Sequence, residues 1–281
     1  MQFQITTLEN IKLSEVLNAF NSAFADYFVK ITLTEKNLAE KIMAENILLE
    51  KSIGAFADDK LVGFILLAID EIEGRKTAYN GGTGVLPAWR GNRLTSKMYE
   101  FILPKLQTKE IYFQQLEVVT QNQAAIRVYE KIGFKKARTL ACFKGNINPT
   151  ITNPQFEIKI LDELDGPIFT LFWNSPPSWQ NSLSAIGRTK DLHKIIGAFA
   201  QETLVGYLIY TATGRIKQFA VKQEFRHSGL GQTLFAFAKS ELGDQEIVIT
   251  NLDKNDRESI LFLGKLGLTL FLEQFEMTLE N

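Results

Sequence analysis

The chain has 281 residues, 45% of them hydrophobic and 22% charged, with a formal net charge of −1. That is the profile of a globular protein with enough apolar residues for one large core or two ordinary ones. The balanced charge supplies no overall pull toward nucleic acid or an anionic membrane, and no stretch approaches the roughly 20 apolar residues of a membrane span. The opening residues lack the charged start and apolar run of a secretion signal, so a cytoplasmic protein is expected. Cys142 is the only cysteine, and neither His193 nor His227 has carboxylates at ligand spacing. No internal disulfide and no metal are expected.

In chain order, the first distinctive element is the aromatic-rich segment Phe24 to Thr34. "IGAFADDKLVGFILL", Ile53 to Leu67, reads as two apolar strands around a tight polar turn at Asp58-Asp59, a β-hairpin. The run Gly74 to Gly84 is glycine-rich and predicts irregular backbone. A strand then ends at Val85, and the turn "RGNRLT", Arg90 to Thr95, feeds a helix. Beyond it come the strand around Glu117 and a helix that Asn122 starts and Gly133 ends. Gly145 to Gln155, rich in Asn, Pro and Thr, predicts a linker or a strand-to-strand passage.

The chain then repeats itself. "IGAFAQETLVGYLIY", Ile196 to Tyr210, matches the first hairpin at eight of fifteen positions, 143 residues later. Val221, the turn "RHSGLG" from Arg226 to Gly231, and a helix ending at Gly267 answer to Val85, Arg90 to Thr95 and Gly133. A domain-sized unit repeated once means duplication rather than a short-period solenoid. The expected domains are residues 1–148 and 149–281, each a mixed α/β unit.

A strand that ends in a basic, glycine-containing turn and opens a helix can bind an anion, because the first helical amides have no internal partners and the dipole adds positive charge. The second turn fits R-x-x-G-x-G through Arg226, Gly229 and Gly231. The first keeps Arg90, places Gly91 inside the turn, and carries Arg93 and Thr95 where the second has glycines. Neither turn is a Walker loop or a dinucleotide fingerprint. An ordinary capped strand-to-helix turn fits the same letters.

"LEVVTQNQAAIRVYEKIGF", Leu116 to Phe134, narrows the choice. Its Glu117, Asn122, Ala125, Tyr129, Gly133 and Phe134 closely resemble the L-E-V and N-x-x-A-x-x-x-Y-x-x-x-G-F signature of the GCN5-related N-acetyltransferases, and most closely of their protein N-terminal acetyltransferases. The resemblance extends to both halves and implies two tandem domains, each a mixed, mostly antiparallel sheet flanked by helices. It implies acetyl-CoA as donor, with its pantetheine arm between two splayed strands. Val85 would end the strand that pairs with the arm. The amides of Arg90, Gly91, Asn92, Arg93, Leu94 and Thr95 would hold the pyrophosphate, Asn122 would bond the arm, and Tyr129 would stand near the sulfur. A second cofactor site would use Val221, Arg226, Gly229 and Gly231.

The residue types suit that chemistry. An amine attacks a thioester only when unprotonated, and an α-amine, with a pKa of about 7.7–8.0, needs less help than a lysine at about 10.4. Glu117 is the candidate base and Tyr129 the candidate acid. Singly, each has another reading: an exposed strand carboxylate, a core tyrosine, a helix cap at Asn122. The second half places Leu263 at the tyrosine position and Thr250 or Asn251 near the glutamate position, and Asn255 falls one residue out of register with Asn122. The first domain is therefore the expected catalyst, acting on the amine of a peptide, protein or small molecule. The alternatives are catalysis by the second domain and a non-catalytic acetyl-CoA-binding protein.

Overall fold

The computed structural model describes residues 2–29, 31–72, 74–148 and 153–280. Part of the predicted linker, 149–152, lies outside the described residues. The first half of the chain runs β1 (Gln4–Thr7), α1 (Leu13–Ala23), α2 (Glu35–Glu45), β2 (Ile53–Ala57), β3 (Lys60–Ile72), β4 (Arg75–Val85), α3 (Leu94–Gln107), β5 (Phe113–Val119), α4 (Gln123–Ile132) and β6 (Lys135–Gly145). The second runs β7 (Glu157–Ile160), α5 (Gly166–Thr170), α6 (Leu183–Arg188), β8 (His193–Ala200), β9 (Thr203–Thr211), β10 (Arg215–Val221), α7 (Leu230–Leu242), β11 (Ile247–Asp253), α8 (Arg257–Lys265) and β12 (Thr269–Glu280).

The duplicated hairpins are β2–β3 and β8–β9. Asp58 and Asp59 both take positive φ, as a two-residue turn matched to strand twist requires. The register even slips at equivalent places, Ala55/Phe56 and Ala198/Phe199. A second irregularity repeats as well. β3 steps from Leu66 to Leu67 while β4 steps from Gly82 to Asn80, leaving Gly81 as a bulge. In the second half Lys217 is the bulged residue of β10.

The chain forms two compact units that divide it differently from a cut near residue 148. One holds the residues up to Arg138 together with those from Gln274 on; the other is Thr139–Glu273. The first sheet runs β1-β2-β3-β4-β5 and then β12, whose Gln274–Glu280 pairs antiparallel with Val119–Phe113. The second runs β6-β11-β10-β9-β8-β7, with Leu140–Gly145 of β6 antiparallel to β11. Each sheet is thus completed by a strand from the other half of the sequence. Duplicated halves present equivalent strand edges, so an equivalent strand from either copy can satisfy them.

Each unit has its own core. In the first, Ile53, Ile65, Leu94, Met98, Ile102, Leu116 and Ile126 pack with Met277 and Leu279 from the end of the chain. In the second, Ile196, Leu208, Leu234, Phe235 and Leu263 pack with Ala141 and Phe143. Among the described residues no helix is long and apolar enough to cross a membrane.

Candidate functional site

In the first unit β4 and β5 run parallel only from Thr77↔Phe113 to Asn80↔Leu116, and then part. The second repeats this: β10 and β11 pair at Arg215↔Val248 and Ile216↔Ile249 before separating. The parting begins where each bulge falls. An unpaired bulge residue increases local twist and re-aims the strand, so bulge and gap are one feature.

Glu117 stands on β5 at the mouth of the first gap. Tyr79, fully buried on β4, donates its hydroxyl to Glu117 Oε2, while Oε1 is buried with no hydrogen-bond partner among the described residues. Glu276 of β12 lies directly opposite. It accepts from Arg138 Nε and Nη2 at 2.9 Å each and from Gln115 Nε2 at 2.8 Å. On the β4 side the buried Glu45 takes Lys41 Nζ at 2.6 and 2.7 Å, and a Cβ added at Gly81 would lie 2.7 Å from its Oε2. Any larger residue at the bulge would have to push that carboxylate aside. Burial is the main force that pushes the Glu117 carboxyl up to about 8; Glu276 and Glu45 add to it, and the Tyr79 bond opposes it.

Tyr129 lies inside α4, in edge-on contact with Tyr99 and Phe134. Its hydroxyl faces Thr83 and Asn80 of β4, and burial raises it to about 12. Asn122 caps α4, its side chain accepting from the Ala125 amide at 3.1 Å. Glu117, Asn122 and Tyr129 therefore come together along one gap. Tyr79, Lys41, Glu45, Arg138 and Glu276 escape sequence reading. Strand register and the returning C-terminal strand bring them there, and no local motif marks them.

The two phosphate-type turns share one backbone. Gly91 and His227 have φ +82° and +61°, and the helix-capping Arg93 and Gly229 have φ +59° and +85°. Asn92 Nδ2 bonds the Trp89 carbonyl as Ser228 Oγ bonds the Phe225 carbonyl. Neither helix start carries a side-chain cap, so the first amides of α3, from Leu94 and Thr95, and of α7 remain available. Arg93 thus adopts the left-handed form that suits glycine. Gly231 is favoured for a different reason: a Cβ there would stand 2.9 Å from the ring tip of Phe262 on α8, which would have to shift. The first half carries Val128 at the position equivalent to Phe262, and accordingly tolerates Thr95.

Arg93→Gly should leave stability within about 1 kcal/mol, since relief of left-handed strain offsets the added freedom of the unfolded chain. Denaturant unfolding checks this; a loss above about 2 kcal/mol would mean that the Arg93 side chain holds the turn.

Arg90 and Arg226 do not extend from these turns as free cations. Arg90 Nε bonds the Val85 carbonyl at 3.3 Å, Nη2 the Ala23 carbonyl at 3.0 Å, and both terminal nitrogens grip Asp26 at 2.6 and 2.7 Å. Arg226 bonds the Val221 carbonyl, Glu258 and the Phe172 carbonyl. Both clamp the end of the gap-forming strand to the segment that follows the first helix of the unit.

The second gap opens into a cavity of about 460 Å³, lined among others by Trp173, Tyr207, Gln218, Gly229, Thr250 and Phe262. Asn181 ties its wall together, donating to the Thr250 carbonyl at 2.7 Å. Asp256, not Asn255, caps α8, and the fully buried Leu263 takes the place of Tyr129. β11 spends three residues from Ile249 to Leu252 where β6 spends two, and Asn251 has φ +60°.

In both halves two strands part at a bulge beside a helix start that carries no side-chain cap, and in the first half the Glu117 carboxylate stands at the mouth of the gap. The model of the acetyltransferase (GNAT) family matches residues 16–134 and again 158–268. The chain belongs to that family, with two of its domains in tandem. A solved tandem GNAT protein from the clavulanic acid biosynthesis pathway is 12% identical and superposes with a TM-score of 0.76, covering 99% of this chain and 98% of that one. GCN5-related N-acetyltransferases from Sphaerobacter thermophilus (14% identity, TM-score 0.71, 99% and 95% covered) and Kribbella flavida (15%, 0.63, 99% and 70%) share the fold. No curated protein sequence matches the chain.

Proposed function

We propose that the protein moves an acetyl group from acetyl-CoA directly to a primary amine, with the chemistry in the first half. The observation that carries this reading is Glu117: a carboxyl raised to about 8, held by Tyr79 through one oxygen and with the other unpartnered. Acetyl-CoA supplies an activated acyl carbon whose bond to sulfur breaks as the amine nitrogen bonds to it. Glu117 takes the proton that the amine sheds, and its raised basicity matches an α-amine near pH 8. Tyr129, protonated at any working pH, offers the departing sulfur a hydrogen bond. The amides that open α3 cradle the phosphates, and Asn122 bonds the arm. Arg90 braces the backbone beside this site.

The second half fits acetyl-CoA in a different way. Its cavity, its turn and its strand gap suit the cofactor, yet Thr250 and Leu263 provide neither base nor acid. It binds without turnover in this reading.

Thiol release with acetyl-CoA and a panel of peptides and small amines tests the proposal. α-Amines should be acetylated faster than lysine side chains near pH 8. Absence of transfer to every amine would leave a binding protein.

A further inference from the structure

The gap of the first half contains one of the chain's own side chains. Tyr27 follows α1, on the aromatic segment Phe24–Tyr27–Phe28, whose rings stack edge to face with centroids 5.0 and 5.4 Å apart. Its hydroxyl faces the Asn122 side chain and the backbone of Val119. It also interacts with the Tyr129 hydroxyl. Asn122 and Tyr129 are two groups to which the proposed function assigns the arm and the sulfur, and Val119 lies where β5 has already left β4. Tyr27 therefore stands in the space between the parted strands.

Asp26, the residue before Tyr27, is gripped by both terminal nitrogens of Arg90, which also holds the Ala23 carbonyl at the end of α1. Arg90 opens the phosphate-type turn. The Asp26–Arg90 pair is half exposed on both sides, so an arriving anion can reach it. The equivalent Arg226 bonds the Phe172 carbonyl at 3.4 Å but grips its carboxylate, Glu258 of α8, through one nitrogen only, and its gap is an open cavity.

We infer that Tyr27 is a built-in plug of the first acyl-donor groove, latched by Asp26–Arg90, and that a polyanionic ligand at the Arg90–Thr95 turn releases it. This rests on the reading of the first gap as the donor site. Phosphates at the turn compete with Asp26 for Arg90; the segment loosens, Tyr27 leaves Asn122 and Val119, and the arm takes its place. The site is thereby closed to water and to short thioesters that lack the phosphates. A plug present most of the time lowers apparent affinity by the fraction of molecules that are open.

Calorimetric titration of acetyl-CoA into the full chain tests this. It is carried out in a Gly229→Trp background so that the second turn is blocked; Arg93 already shows that this backbone position carries a side chain. Tyr27→Ala should bind at least about tenfold tighter and Asp26→Asn about threefold tighter, whereas Tyr27→Phe, which keeps the ring, should change little. Equal or weaker binding by Tyr27→Ala, with binding still present in the parent, overturns the plug and leaves the proposed function standing. No binding by the parent or by any variant overturns both. Circular dichroism of each variant establishes that the fold is intact.

Discussion

Glu117→Gln is expected to lower kcat at pH 8 by about 10²- to 10⁴-fold, the usual range for loss of a positioned proton acceptor. Glutamine keeps the shape and can still accept from Tyr79, but it cannot take a proton. In the wild-type protein kcat/KM for an amine acceptor should rise with pH and level off above about 8, where the buried carboxyl ionises. The variant should lose that limb. Stability gives a second readout with a definite sign. Unfolded, the carboxyl releases its proton near 4.5; folded, it holds it up to about 8. Rising pH therefore favours the unfolded chain between these values and has no further effect above them. The cost of burying this group grows to at most about 5 kcal/mol at 1.36 kcal/mol per unit. Glu117→Gln should unfold with wild-type stability at pH 4 and be the more stable protein at pH 9. An activity unchanged at pH 8 would remove Glu117 from the chemistry.

Arg138→Ala should destabilise the protein by about 3–5 kcal/mol, because it strands the buried Glu276 charge without its partner. The side chains of this pair are 14% and 9% exposed, and Arg138 grips Glu276 through two nitrogens. The stranded carboxylate would also face Glu117 across the strand pair and raise its pKa further. The signature is thus double: a lower midpoint in denaturant, and a pH–rate limb moved to higher pH in whatever remains active. Loss below about 1 kcal/mol would mean that solvent already screens the pair.

Much of this was legible in the sequence because the informative features are local. The repeated I-G-A-F-A hairpins, the Asn122 cap, the Gly133 terminator and the Arg90 and Arg226 turns each declare themselves within a few residues. Their spacing carried both the duplication and the family. What stayed hidden depends on distant pairing. Nothing near Thr269–Glu280 announces that it completes the first sheet, since a strand's partner is chosen by edge complementarity and not by its own letters. Tyr79 reaches Glu117 only through the parallel register of β4 and β5. The Asp26 grip on Arg90 was hidden, because the sequence cannot show the segment after α1 folding back to meet that guanidinium. That Arg93 shares the left-handed conformation of Gly229 was hidden too, because only the backbone reveals it.

The central claim is that chemistry belongs to the first half. Its most direct test is acetyl transfer to one amine acceptor by Glu117→Gln and Gly229→Trp, measured side by side with the wild type. With the chemistry in the first half, the first variant loses nearly all turnover and the second keeps most of it. Retained turnover in Glu117→Gln together with loss in Gly229→Trp would place the reaction in the second half and contradict it.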